Sequence, residues 1–349
     1  MKSSYKEEDV TILLKDITGM VNPQPANERE KLIQSGTHYC EMLPLEYSPT
    51  KKYMEAYQTA LSDYAGLTAE AVGRTADQII KKKGKNVVLV SLARAGIPVG
   101  ILLKRYIHMK YEVDVPHYAI SIIRGRGIDK NAMKFILDRH HPEEVQFVDG
   151  WIGKGAILQE LKKDLEEYDG VSKELAVLAD PANETALCGT HEDILIPSSC
   201  LNCTVSGLIS RTFLRSDIIG KNDFHGAVYY GELKEYDLSE QFLSTIEQKF
   251  VMNLSPIQHK YKEKGIEEVK RISRHFEIED INFIKPGIGE ATRVLLRRMP
   301  WKILIQKEEC NNPMLNHLIR LAQEKNVPVV EYPLVHYKAC GIIRQYADT

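Results

Sequence analysis

The chain has 349 residues, 43% hydrophobic and 27% charged, with a formal net charge of −2. That length predicts two or three domains, and the near-neutral balance excludes a global electrostatic pull toward nucleic acid. No apolar run reaches the ~20 residues of a membrane span, the N-terminal MKSSYKEEDVTILLKD has acids where a signal peptide needs an apolar core, and six irregularly spaced cysteines fit reduced thiols in a cytoplasm.

Residues 1–60 show no clean periodicity. Residues 50–83 read as a helix, broken near Gly66. Residues 87–92, VVLVSL, form the β-branched run of a central parallel strand. Ala93, Arg94, Ala95 and Gly96 then make a tight turn, and a helix over 97–106 tolerates Pro98 in its first turn. Small residues let backbone close on an anion there, while a guanidinium offers bidentate contact. Residues 118–123 are a strand, broken by Arg124-Gly125-Arg126-Gly127. That run is either a solvated basic turn or a mobile loop with glycine hinges.

Residues 145–157, VQFVDGWIGKGAI, are the most informative. Four mostly apolar residues end in Asp149. Gly150, Gly153, Lys154, Gly155 and Ala156 follow, and a helix opens at Ile157. A strand, an acid and a glycine-lined turn opening a helix form a phosphate cradle, because backbone N–H groups and the helix N-terminus both favour an anion. The spacing is neither GxGxxG nor GxxxxGK[ST]. Further strands are expected at 175–179 and 193–197. The hydroxyl- and thiol-rich segment 198–214 should end in a helix over 207–214, capped by Thr204 or Ser206. Alternating strands and helices predict an α/β fold, a parallel sheet with helices on both faces and a ligand crevice at the strands' carboxyl ends.

These units resemble the type I phosphoribosyltransferases. The motif for phosphoribosyl pyrophosphate (PRPP) in that family is four apolar residues, two acids, three variable residues and Thr-Gly-x-Thr. Here Asp149 and Gly155 match, while Gly150, Lys154 and Ile157 depart from it. The resemblance implies that Ala93 to Gly96 binds pyrophosphate, with Arg94 and Mg²⁺ neutralising the leaving group. It implies that Asp149 holds the ribose hydroxyls and Gly153 to Ile157 the 5-phosphate. Arg124 and Arg126 would close over the substrates, and residues 1–60 would build a hood over a base-like acceptor of unknown identity.

Residues 251–280 read as a helical linker. Beyond it, residues 281–349 carry ten Lys and Arg against six Asp and Glu, so +4, and the remainder carries 36 against 42, so −6. A turn at Pro286-Gly287, a helix over 289–298, a strand over 302–306, a helix over 314–326 and a strand over 327–333 compose a small αβα module. It resembles the pelota and kink-turn-binding family. Gly287-Ile288-Gly289-Glu290-Ala291-Thr292-Arg293 stands where that family has Gly-x-Asn-Glu-x-Thr-Lys. The resemblance implies structured-RNA contacts by Gly287, Gly289, Glu290, Arg293, Arg297 and Lys338.

A phosphoribosyltransferase-like domain at 1–250 followed by this module resembles a bacterial family of tellurite-resistance and stress gene clusters, also known as StiP-like cysteine proteases. The main expectation is a PRPP-dependent transferase, with a homodimer left open. Two alternatives stand beside it. One is a cysteine protease or hydrolase using Cys200 with His191 or His225 as base; the other is a non-catalytic, PRPP-responsive RNA binder. The CxxC pair Cys200 and Cys203 has no second pair at zinc spacing, so no metal ligands are assigned.

Overall fold

The structure is a computed structural model describing residues 1–257 and 262–344. The strands are β1 (Thr11–Ile12), β2 (Lys15–Asp16), β3 (Val88–Ala93), β4 (His117–Ile123), β5 (Gly127–Ile128), β6 (Val145–Trp151), β7 (Leu175–Ala179), β8 (Cys188–Thr190), β9 (Gly226–Ala227), β10 (Ile284–Pro286), β11 (Pro300–Gln306), β12 (Val329–Tyr332) and β13 (Ala339–Ile343). The α-helices are α1 (Ala26–Gln34), α2 (Lys51–Lys83), α3 (Ile97–Tyr111), α4 (Lys130–Leu137), α5 (Ala156–Asp164), α6 (Ser239–Glu247), α7 (Gly265–His275), α8 (Ile288–Arg297) and α9 (Asn316–Glu324).

The main sheet runs β1-β4-β3-β6-β7-β8, all parallel, with β5 folded back antiparallel on β4. All of β7 and nearly all of β3 are buried, as continuous apolar runs require when helices cover both faces. One face packs on α2 and α3 through Ala69, Val72, Ala76 and Ile101. The other packs on α4 and α5 through Met133, Ile136, Leu158 and Leu161. The α/β expectation therefore holds.

Four local expectations are corrected. Helix α2 runs unbroken through Gly66, whose Cβ position is open. A glycine costs only about 1 kcal/mol in a helix, and the buried alanine stripe of α2 offsets that. Residues 193–197 form no strand; the edge strand is β8, nearer the N-terminus. Residues 207–214 form no helix, because Gly207 and Leu208 are both left-handed (φ 72° and 56°). Their backbone bonds instead cross to another segment, Ser210 N to Val228 O and Phe213 N to Gly226 O. Finally α1, α4 and α6 lie where no helix is expected; α4 starts where Asp129 Oδ1 accepts Asn131 N and Ala132 N, both at 3.0 Å.

The C-terminal module is a β10-β13-β11-β12 sheet. Helix α7, from the stretch read as a linker, packs inside its core through Val269 and Ile272 against Ile284, Leu304 and Ile342. Residues 258–261 of that stretch lie outside the described residues. Helix α8 joins the large core that also holds Ala69, Ile196 and Leu201. At its start Ile288 N donates to both Asp193 oxygens at 3.1 Å, and Lys338 N adds a third bond at 2.9 Å. Among the described residues no helix is long and apolar enough to cross a membrane.

Asp193→Ala strands the buried amide of Ile288 and the half-buried amide of Lys338 at the domain junction. It should lower the unfolding free energy by about 1–3 kcal/mol and speed trypsin cleavage between residues 248 and 264. Unchanged denaturation and cleavage would show that docking does not rest on this carboxylate.

Candidate functional site

The carboxyl ends of β3, β6 and β7 face the C-terminal module, and most residues expected to bind ligand already have protein partners there. Gly96 is a glycine because a Cβ would press on Leu92 O and Val148 O, at 2.8 and 2.9 Å. Arg94 turns inward, pairing with Glu46 at 2.8 Å and donating to Ile209 O at 2.6 Å. Asp149 Oδ1 accepts its neighbour Gly150 N at 2.7 Å. Burial pushes the Asp149 carboxyl up to about 7, and Glu290 adds to this, although Gly150 N–H and Arg293 oppose it.

The glycine loop itself is covered. Tyr337 donates to Gly153 O at 2.7 Å. Lys154 donates to Ile281 O and Ile284 O at 2.5 and 3.1 Å. Burial, then Lys285 and Arg124, lower the Lys154 ammonium to about 7. Gly155 is left-handed (φ 81°) and leads into α5 at Ala156 and Ile157. The loop that should cradle phosphate thus carries the C-terminal module.

The basic loop bridges two regions, residues 39–41 and Asn282. Arg124 N donates to the Tyr39 hydroxyl, Arg124 Nη1 to Asn282 Oδ1, and Arg126 pairs with Glu41, at 2.9, 2.6 and 2.9 Å. The residues expected to meet RNA also turn inward. Gly287 lies against Asp193 and Gly289 against Ser199 and Trp151. Glu290 pairs with Arg293, whose guanidinium lies 4.4 Å from the Trp151 ring centre. Arg297 donates to Leu201 O, and Lys338 Nζ reaches Met314 Sδ at 3.9 Å.

Cys200 is buried at the end of a short 3₁₀ turn, Pro197–Cys200. Burial pushes its thiol up to about 12, against weaker pulls from Ser199, Arg297 and Arg293. The two histidines expected to activate it are placed elsewhere, His191 against Cys188 and His225 against Ser121 Oγ at 2.8 Å. The Cys200 pairing is corrected accordingly.

Two other thiols do meet an imidazole. His38 Nδ1 lies 3.0 Å from Cys40 Sγ, and His38 Nε2 lies 3.1 Å from Arg124 O. A carbonyl can only accept, so Nε2 carries the proton and Nδ1 presents a lone pair to the sulfur. Cys188 Sγ lies 3.5 Å from His191 Nε2, with Asp180 adjacent. Cys188, His191 and Asp180 are all buried. His38 is half-buried, so the first pair is the nearer to solvent. Neither pair was assigned from the sequence, although His-x-Cys and Cys-x-x-His are both short-range spacings.

A family model described as tellurite-like stress resistance cysteine protease StiP matches residues 3–247. The cysteine protease StiP of Acinetobacter baylyi is 36% identical over 364 aligned positions, covering 98% of this chain and 94% of that one. The chain belongs to the StiP family. A second model, the PELOTA RNA binding domain, matches residues 263–345. Among solved structures, a hypoxanthine-guanine phosphoribosyltransferase of Bacillus anthracis is similar at 22% identity, over 33% of this chain and 66% of that enzyme, with a TM-score of 0.25. A purine phosphoribosyltransferase of Pyrococcus horikoshii gives 15% identity, 39% and 77% coverage, and a TM-score of 0.21. Scores that low carry no functional argument.

Membership in StiP overturns the expectation of PRPP-dependent transfer, because the family and its curated relative are named as cysteine proteases. The site gives a physical reason, since the glycine loop and Lys154 are spent on domain docking. Magnesium is implied only by the transferase chemistry and carries no step here.

The raised Asp149 acidity makes a testable link to stability. Folding favours the protonated acid, so this contribution is full below the ordinary value of 3.8 and is lost as pH rises through about 7. Asp149→Asn stays neutral throughout. Its stability relative to the parent should therefore climb across that window in urea titrations; a pH-independent difference would contradict the assignment.

Proposed function

We propose that this StiP-family chain is a cysteine peptidase with Cys40 as nucleophile and His38 as its base. The observation that carries this is the 3.0 Å contact from His38 Nδ1 to Cys40 Sγ, with Nε2 tied to the Arg124 carbonyl. A thiol, a base and a group that orients the base are the parts that nucleophilic catalysis needs. Family membership supplies the reaction class.

In the proposed cycle the Cys40 sulfur attacks the scissile carbonyl as its proton passes to His38 Nδ1. The imidazolium then protonates the leaving amine, and a thioester remains. Water, deprotonated by His38, hydrolyses the thioester and restores the thiol. At rest the sulfur is covered, and burial pushes the thiol up to about 11, with Arg126 pulling against it. Its neighbour Leu214 accepts from Cys40 Sγ at 3.5 Å and donates from its own N–H to Cys40 O at 2.9 Å. Substrate entry has to part residues 38–41 from that segment.

The free thiols support a reducing, cytoplasmic setting. Structured RNA is the partner proposed for the C-terminal module, on the strength of its matched domain. With Gly287, Gly289, Glu290 and Arg293 turned inward, its phosphates would meet the partly exposed Arg298, whose guanidinium otherwise pairs with Glu30 at 3.0 Å. Arg298→Ala should then reduce the salt dependence of RNA affinity by about one unit of slope; affinity indifferent to both salt and this change would refute phosphate contact.

Cys40→Ala and His38→Ala should each lower turnover of peptide substrates by about 10³-fold or more. Cys200→Ala should retain activity. Full activity in Cys40→Ala, with loss in Cys200→Ala, would overturn the assignment.

A further inference from the structure

The second thiol–imidazole cluster sits on the opposite side of the crevice, where the ends of β7 and β8 meet. Cys188 lies in β8, His191 directly follows it, and Asp180 follows β7. One ligand atom from each of the three lies within 4.8 Å of the others. Cys188 Sγ is 3.5 Å from His191 Nε2, and His191 Nδ1 is 3.8 Å from Asp180 Oδ2. In a tetrahedral zinc site with a thiolate at ~2.3 Å and an imidazole at ~2.0 Å, the sulfur–nitrogen edge is about 3.5 Å.

The outer contacts suit ligation as well. His191 Nδ1 is held by Asp180 O at 3.1 Å, and Nε2 is the ring nitrogen nearer the sulfur, at 3.5 Å against 3.8 Å. Asp180 Oδ2 accepts Glu184 N and Thr185 N at 2.7 and 2.8 Å. Asp180 Oδ1, in contrast, is fully buried and has no hydrogen-bond partner among the described residues. A buried carboxylate oxygen without a partner is costly unless something cationic meets it.

We infer that Asp180, Cys188 and His191 form a site for one divalent transition-metal ion of the zinc type, bound through the Asp180 carboxylate, Cys188 Sγ and a His191 ring nitrogen. The donors are one carboxylate, one thiolate and one imidazole, a set that suits zinc or cobalt over magnesium or calcium. Binding forms the metal–sulfur bond and releases the thiol proton to solvent. The ion would sit directly beneath the turn at 180–185, on which the C-terminal module rests. Gly265 N donates to Ala182 O at 2.8 Å, His336 Nδ1 meets Pro181 O at 3.1 Å, and Lys264 pairs with Glu184 at 2.8 Å. Metal occupancy would therefore stiffen the platform that docks the second domain. The site shares no residue with the Cys40–His38 pair, so either assignment can fail without the other.

The test uses the full chain, stripped with chelator and titrated with Co²⁺ under reducing conditions. One Co²⁺ per chain should bind with a thiolate-to-cobalt charge-transfer band. The band should be lost in Cys188→Ser, weakened about tenfold or more in affinity in His191→Gln, and retained in Cys40→Ala. Zn²⁺ should displace Co²⁺ and slow trypsin cleavage between residues 248 and 264. A band that survives Cys188→Ser overturns the site. Should Cys188→Ser fail to fold, X-ray absorption of the zinc-loaded parent decides: one sulfur with nitrogen and oxygen neighbours supports the site, and a shell without sulfur, or with several, overturns it.

Discussion

The carboxyl end of the main parallel sheet is closed by the protein's own second domain, and the rest of the molecule is arranged around that closure. Burying this end takes many backbone amides and carbonyls out of water, and each needs a partner. Asp193 supplies acceptors for Ile288 N and Lys338 N, Lys154 supplies protons for Ile281 O and Ile284 O, and Tyr337 supplies one for Gly153 O. In the module itself Glu268 accepts Val335 N and His336 N at 2.7 and 2.8 Å. The residues that look most like ligand binders in this crevice are largely the ones that satisfy the junction.

That constraint leaves the thiol–imidazole pairs at the crevice's edges. With the glycine loop occupied, reactive groups remain where thiols and imidazoles meet at either side. Segment 38–41 is tied to the basic loop by Arg124 O, Tyr39 and Glu41. The end of β8 is tied to the turn that bears the C-terminal module. Two thiol–imidazole pairs thus flank the crevice, one beside the half-buried His38 and one fully buried.

Much of the fold was legible in the sequence because it rests on local patterns. The runs 87–92 and 175–179 are buried on both faces, so they show as unbroken apolar stretches. Gly96 and Gly155 show as turn glycines because close packing at one and a left-handed backbone at the other require them. Residues 193–197 misled because an apolar run can be buried without pairing in a sheet. Residues 207–214 misled because the backbone of Leu208 turns left-handed, which a leucine does not announce. The candidate site was less legible. Lys154 bonds carbonyls about 130 positions away in sequence, and such long-range pairing leaves no local trace. Cys200 stood out through its hydroxyl-rich surroundings, yet burial raises its thiol and, among the described residues, no imidazole is placed against it. The spacings His38-x-Cys40 and Cys188-x-x-His191 were visible throughout and lacked only the fold to show which faces meet.

The central claim is that Cys40 is the nucleophile of a StiP-family peptidase. It is tested most directly by treating the native chain with a peptidyl electrophile that alkylates only thiols aligned for attack, then mapping the adduct by mass spectrometry. The account predicts one adduct, on Cys40, that disappears in His38→Ala. An adduct on Cys200 or Cys188 with Cys40 unmodified would contradict it.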